Sequence, residues 1–166
     1  EGTYTLNPAT GIVTFVADAN ATSAPKTPIT YQVTDVTGQK ATSTLTPIIP
    51  PPPTADDDAE TTPFNTAVEI DVLNGDTPGA ESAPLMPATL KLCDVDEVAP
   101  NCTKDEVTVD EGTYKITNGK VTFTPKTDFS GTATPIDYVI EDELGQKATA
   151  TITVEVSPPT PPTATP

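Results

Sequence analysis

Histidine, arginine and tryptophan are absent from this 166-residue sequence, and all eight basic side chains are lysine. Without histidine, a serine or cysteine nucleophile lacks its usual general base. No GxSxG turn presents Ser82 or Ser130. Paired carboxylates can hydrolyse glycosides, but nothing sets two of them in one pocket, so no enzyme is expected. Zinc is disfavoured by the same shortage, because two cysteines and no histidine fall short of a four-ligand set. No apolar run approaches the ~20 residues that span a bilayer. Neither a signal peptide nor an initiating methionine is present, and the sequence reads as an excerpt of a longer polypeptide whose targeting signals lie outside it.

Aromatic residues are scarce at 5%, which is lean for a core. The 35% hydrophobic content, largely Val, Ile, Ala and Leu, still suffices for two thin sheets packed face to face. Acid is what the sequence has in excess: 24 carboxylates against eight lysines give a formal net charge of -16. A phosphate backbone or an anionic bilayer surface repels such a chain, so neither nucleic acid nor direct membrane insertion is expected among its partners. The same charge favours solubility.

A second feature is internal repetition. Gly38 to Thr44 reads GQKATST and Gly145 to Thr151 reads GQKATAT, 107 positions apart. The match extends to EGTYTLNPATGIVTF (Glu1 to Phe15) against EGTYKITNGKVTF (Glu111 to Phe123), and to PITYQVTD (Pro28 to Asp35) against PIDYVIED (Pro135 to Asp142). Its offset falls from 110 to 108 to 107, with the length differences at expected turns, where a shared fold tolerates them. The runs IIPPPPT (Ile48 to Thr54) and EVSPPTP (Glu155 to Pro161) correspond at 107 as well. These matches divide the chain into residues 1–47, the C-terminal part of an incomplete repeat; 48–54, a Pro-rich linker; 55–157, a complete repeat; and 158–166, a linker toward the next.

Alternation identifies the elements. Ala148, Ala150, Ile152, Val154 and Val156 alternate with Lys147, Thr149, Thr151, Thr153 and Glu155, the signature of a strand with one buried face. The same phase recurs at Val68, Ile70 and Val72, at Leu90 and Leu92, at Tyr114 and Ile116, at Val121 and Phe123, and at Ile136, Tyr138 and Ile140. Outward positions favour Thr, whose branched side chain suits a pleated surface. Asn118-Gly119, Leu144-Gly145 and Asn74 to Asp76 read as turns of antiparallel hairpins. The fold expected is all-β, tandem immunoglobulin-like antiparallel sandwiches joined by Pro-rich linkers. Tyr114, Val121, Phe123, Phe129, Tyr138, Ile140 and Ile152 form the expected core, and Tyr4, Tyr31, Tyr114 and Tyr138 all fall on core phases.

Glu111 to Val156 resembles the CshA-type fibril repeat of long bacterial surface adhesins. The family pattern is GTY, then GxVTFTP, then FxGxAxPxxYxVxDxxG, then an alternating strand. It is matched by Gly112, Thr113 and Tyr114; by Gly119 and Val121 to Pro125; and by Phe129, Gly131, Ala133, Pro135, Tyr138, Ile140, Asp142 and Gly145. IDVLNGD (Ile70 to Asp76) matches more loosely, and Thr14 to Pro28 of the first copy lacks the TP and FxG elements. The resemblance implies a stalk or spacer unit outside the cell, on a bacterial surface, that projects an adhesive region elsewhere in the protein. Its partners would be neighbouring repeats, with a host protein or glycan met through other regions. An alternative is a module that itself binds such a target through its loops or a strand edge. A surface aromatic or arginine anchor would mark that alternative.

An extracellular setting favours a disulfide between Cys93 and Cys102 over free thiols. Closing that loop would contribute roughly 2.5 to 3 kcal/mol. Calcium takes six to eight oxygens, and Asp56, Asp57, Asp58, Asp94 and Asp96 are the candidate ligands, with Glu141 to Glu143 a further acidic run. The plain reading of such runs is solvation, and no DxDxDG loop is present. No other cofactor is implied. Lys91 could be asked to form an isopeptide bond, but it lies on the phase opposite Leu90 and Leu92, which reads as simple exposure. Asn20 and Asn101 stand in glycosylation sequons that read as coincidence.

Overall fold

The computed structural model describes residues 1–18 and 21–162, so the Asn20 sequon lies outside the described residues. The chain forms two compact units, the first Glu1–Pro51 and the second beginning at Pro52. Among the described residues, thirteen strands run in chain order: β1 Gly2–Leu6, β2 Val13–Ala17, β3 Ile29–Thr34, β4 Lys40–Leu45, β5 Asp58–Thr62, β6 Val68–Ile70, β7 Lys91–Leu92, β8 Glu106–Val109, β9 Gly112–Thr117, β10 Lys120–Pro125, β11 Gly131–Thr132, β12 Ile136–Glu141 and β13 Lys147–Val156. One short 3-10 turn, Pro87–Thr89, precedes β7.

In the second unit, β6, β10, β9 and β8 lie side by side in an antiparallel sheet. The other sheet is built on β13: β11 and β12 follow one another along one edge, and β7 extends β12 outward. Along the other edge of β13 runs β5, in parallel, with Ile152 opposite Asp58 and Val156 opposite Thr62. This parallel pair departs from the all-antiparallel expectation. No hairpin joins the first strand of the unit to the last, so nothing local forces them to run in opposite directions.

The core lies between the sheets. Ile70, Val107, Tyr114, Val121 and Phe123 from one sheet meet Leu92, Ile136, Tyr138, Ile140, Ile152, Val154 and Val156 from the other. Of the expected core, six residues are fully buried and Phe129 is half-buried against them. Outward faces carry Thr and cross-strand ion pairs such as Lys120 with Glu69 at 2.9 Å and Lys115 with Glu106 at 2.7 Å. Exposed pairs of this kind contribute little to stability. Lys91 belongs to this surface and pairs with Asp105.

Local chemistry sets the turns. Asn118 and Gly119 both have positive φ, 54° and 79°, which a two-residue hairpin with primed geometry requires. Asn74 to Asp76, expected as a hairpin turn, is instead part of an irregular connection after β6: Asn74 N–H bonds Asp71 C=O at 3.0 Å, and Thr77 bridges to Thr54. Val72, just past the end of β6, is fully buried. Thr54, at the end of the Pro-rich run, thus bridges into the second compact unit, and Pro53 beside it is buried.

The first unit consists of two hairpins, β1 with β2 and β3 with β4, and no further strand pairs with them among the described residues.

Candidate functional site

The hairpins of the first unit reproduce the closing half of the second, register by register. Tyr4 opposes Phe15 as Tyr114 opposes Phe123, and Leu6 opposes Val13 as Ile116 opposes Val121. Ile29 with Leu45, Tyr31 with Ser43 and Val33 with Ala41 repeat Ile136 with Ile152, Tyr138 with Ala150 and Ile140 with Ala148. Tertiary contacts repeat as well. Tyr4 donates its hydroxyl to Thr27 C=O at 2.9 Å, and Tyr114 to Thr134 C=O at 3.1 Å. A glutamate carboxylate accepts the same amides: Glu1 from Thr27 at 2.9 Å, Glu111 from Thr134 at 3.2 Å. These bonds hold both glutamates below the usual carboxylate range. The ring pairs are alike, with centroids 4.8 Å apart for Tyr4 and Phe15 and 4.6 Å for Tyr114 and Phe123.

The turn that precedes each GQKAT stretch is also built twice. Asp142 accepts the amides of Leu144 at 2.9 Å and Gln146 at 2.8 Å on Oδ1, and Asp35 accepts those of Thr37 at 2.8 Å and Gln39 at 2.9 Å. Gly145 and Gly38 supply the positive φ, 76° and 86°. For Asp35, the hydrogen bond from the Thr37 side chain and the backbone bond from Gln39 lower the carboxyl pKa. The acidic run Glu141 to Glu143 therefore has a structural use at its central residue.

Where the two units differ is coverage. Tyr138, Ile140 and Ile152 are fully buried, whereas Tyr31 is 42% and Val33 58% exposed. Tyr31 keeps the core phase expected of it, in the register of Tyr138, while being partly exposed. Among the described residues of 1–51, no strand lies over it as the connection after β6 lies over Tyr138. Tyr4, Val13, Ile29 and Leu45 are half-buried along the same apolar groove.

At one end of the second unit, polar groups converge on the Tyr138 hydroxyl. It lies 2.9 Å from Val72 C=O, 3.0 and 3.1 Å from the Asp76 carboxylate and 3.3 Å from Asp56 C=O. Burial, reinforced by the neighbouring carboxylates, raises the pKa of this phenol. Asp76 also accepts the Asp56 amide at 3.0 Å, and its own pKa is raised, chiefly by burial. Asp58 is pushed up to about 6 by burial and then by Asp76, and its Oδ2 is buried without a hydrogen bond.

The calcium candidates are thus dispersed in role. Asp57 accepts the Thr151 amide at 2.8 Å, and Asp56 and Asp58 sit beside Asp76 and Tyr138. Asp94 lies in the disulfide loop, 3.8 Å from Lys104, with Asp96 in the same loop. Among the described residues, no group of three such side chains is arranged to hold a metal ion. Cys93 and Cys102 are disulfide-bonded and pack with Ala99 on Val139, the outward-facing buried residue of β12. Glu97, the last acid of the run Asp94 to Glu97, ties this loop together by accepting the Asp94 amide at 2.9 Å, the Thr103 amide at 3.2 Å and the Thr103 hydroxyl. No pattern in the sequence signals that role.

No helix among the described residues is long and apolar enough to cross a membrane. A search of curated proteins returns no match. Among solved structures, the chain is similar to the crystal structure of the N-terminal eight Ig domains of Down Syndrome Cell Adhesion Molecule (DSCAM) isoform 1.30.30, at 9% identity and a TM-score of 0.34. That similarity covers 84% of this chain and 22% of the DSCAM chain, and so distant a likeness carries no argument. The sequence itself is decisive: residues 50–156 match the family described as the surface adhesin CshA repetitive domain, and the chain belongs to that family.

Proposed function

We propose that this chain is a stalk segment of a bacterial surface fibrillar adhesin, built of tandem immunoglobulin-like sandwiches, and that it acts as a spacer holding an adhesive region away from the cell. The observation that carries this reading is the closed second unit. Its core residues are shut off from solvent, and its sheet faces present threonines and lysine–carboxylate pairs. In an array of such units stability is local, so reach grows with the number of units. The Pro50 to Pro53 run supplies a semi-rigid joint, extended at ~3.1 Å per residue in polyproline II geometry. On this reading residues 1–47 are the closing part of one repeat, 55–157 a complete repeat, and 48–54 and 158–166 the joints on either side.

Small-angle scattering on chains carrying one, two and four copies of residues 48–157 tests the spacer role. The maximum dimension should rise by a constant increment per copy, with an unchanged melting temperature. Copies that collapse against one another, so that the increment shrinks with number, would remove it.

A further inference from the structure

At the head of the second unit, oxygen atoms converge with too few protons among them. Four acceptor oxygens lie within 3.3 Å of the Tyr138 hydroxyl: Val72 C=O, both oxygens of the Asp76 carboxylate, and Asp56 C=O. A phenol carries one proton, and an ionised carboxylate carries none. The Asp56 amide adds a donor, to Asp76 Oδ1 at 3.0 Å, while Asp58 Oδ2 is buried without one. We propose that this cluster binds one further proton, held between Asp58 and Asp76, and that the proton fastens residues 54–58 to the rest of the unit while its loss loosens them. The clamp belongs to the closed second unit and is independent of the spacer reading.

Position makes the proton consequential. Residues 54–58 carry the chain from the Pro-rich run into β5; Ala55 packs against the core, and polar ties hold the rest. Thr54 and Thr77 exchange amide-to-carbonyl bonds at 2.9 Å, the Asp56 amide bonds Asp76, and the Asp57 carboxylate accepts the Thr151 amide at 2.8 Å. Asp76 thus anchors the segment on one hand and repels Asp58, where β5 starts, on the other. With both carboxylates ionised, like charges confront one another in a half-buried site and push the segment off its anchor. With one protonated, the acid donates to a neighbouring oxygen and the repulsion is removed. The surrounding charges give no relief. Asp57 in the same segment and Asp71 after β6 add negative charge, and the Tyr138 phenol of β12, its pKa raised by burial, stays un-ionised. Lys120 of β10 is engaged by Glu69 at 2.9 Å and Asp71 at 3.7 Å. The upward shifts of Asp58 and Asp76, led in both by burial, agree with a stored proton. Because the shift is upward, the clamp is closed at low pH and opens as pH rises through about 6.

The test follows carboxyl carbons and backbone amides of the isotope-labelled polypeptide of residues 1–166 by NMR, from about pH 4 to about pH 8, a range that spans the ordinary and the raised carboxyl values. Asp58 and Asp76 should titrate as a coupled pair, with a step near pH 6 recorded by both carboxyl carbons. Amide shift changes over that step should centre on residues 54–58, 76, 77 and 151. Exchange protection of the Thr54, Asp56 and Thr151 amides, corrected for the intrinsic pH dependence of exchange, should fall about tenfold, less than the full shift permits because the carboxylates are partly exposed. Asp58→Asn should hold that protection at its low-pH level throughout, and Asp76→Asn should lower the Asp58 midpoint. Three results would overturn the proposal: both carboxyl carbons titrating near the ordinary 3.8; protection that is unchanged across the step; or millimolar calcium at about pH 7 restoring the protection that acid gives, which would make a cation the occupant. Titration of the unsubstituted chain decides the matter even where a variant fails to fold.

Discussion

At the scale of single residues, the fold depends on a few positions where chemistry allows little choice. Gly112 is one. A Cβ there would lie 2.5 Å from the Thr124 carbonyl oxygen and 2.7 Å from the Phe123 ring, and the backbone oxygen cannot move aside. Gly112→Ala should cost the complete unit about 1 to 3 kcal/mol, as overpacking does, measurable by urea unfolding; an unchanged midpoint would show that the β9–β10 ladder yields more readily than argued. Asp58 is the second such position. Its folded pKa of about 6 stands above the ordinary 3.8, so the folded state binds this proton more tightly than the unfolded chain does. Its contribution therefore favours folding at low pH and is lost as pH rises from about 4 through about 6. Asp76 is shifted in the same direction, and Asp57 and Asp71 add to the repulsion. Glu97 and Glu111 are shifted down and oppose acidification at lower pH. Asp58→Asn should flatten the melting-temperature profile between pH 4 and 6 and raise stability at pH 7 by about 1 kcal/mol, allowing for solvent screening of a half-buried carboxylate. A profile identical to that of the parent would show that the ionised carboxylate is not held at a cost.

Elements show how far the sequence could be read. Period-two alternation in β12 and β13 names their core-facing side chains directly, and Asn118-Gly119 names its turn, because each signal is local. The repeated GQKAT stretch is legible for the same reason. It opens β4 and β13 after a turn whose glycine has positive φ and whose aspartate takes two amides. Three features were not legible. The parallel pairing of β5 with β13 joins residues more than ninety positions apart, and no local pattern encodes it. Tyr31 has a core phase, yet it is partly exposed, since among the described residues of 1–51 no strand lies over it. Convergence of Asp56, Asp58 and Asp76 on Tyr138 comes from the irregular connection after β6, where alternation ends. The disulfide loop is an element in its own right, since it lies over Val139 on the outside of its sheet. Reducing Cys93–Cys102 should lower stability by roughly 2.5 to 3 kcal/mol through the freedom gained by the unfolded chain. β9 and β10, in the other sheet, should keep their native NMR shifts. Global loss of the fold on reduction would show that the loop holds the core instead of covering Val139.

At the scale of residues 1–166, one building block occurs twice, once with both its halves and once as its closing half alone. Closure is what separates the buried Tyr138 and Ile140 from the exposed Tyr31 and Val33, since strand register and hairpin contacts are shared. A stalk built of such blocks would draw its strength from complete units, because an open sheet edge and an uncovered apolar face leave backbone and side chains accessible to water. Residue-resolved hydrogen exchange on the isolated polypeptide of residues 1–166 measures this difference directly. The account predicts that amides of β9, β10, β12 and β13 exchange only through global unfolding of their unit, while those of β1 to β4 exchange orders of magnitude faster. Equal protection of Tyr31 and Tyr138, and of Phe15 and Phe123, would contradict it.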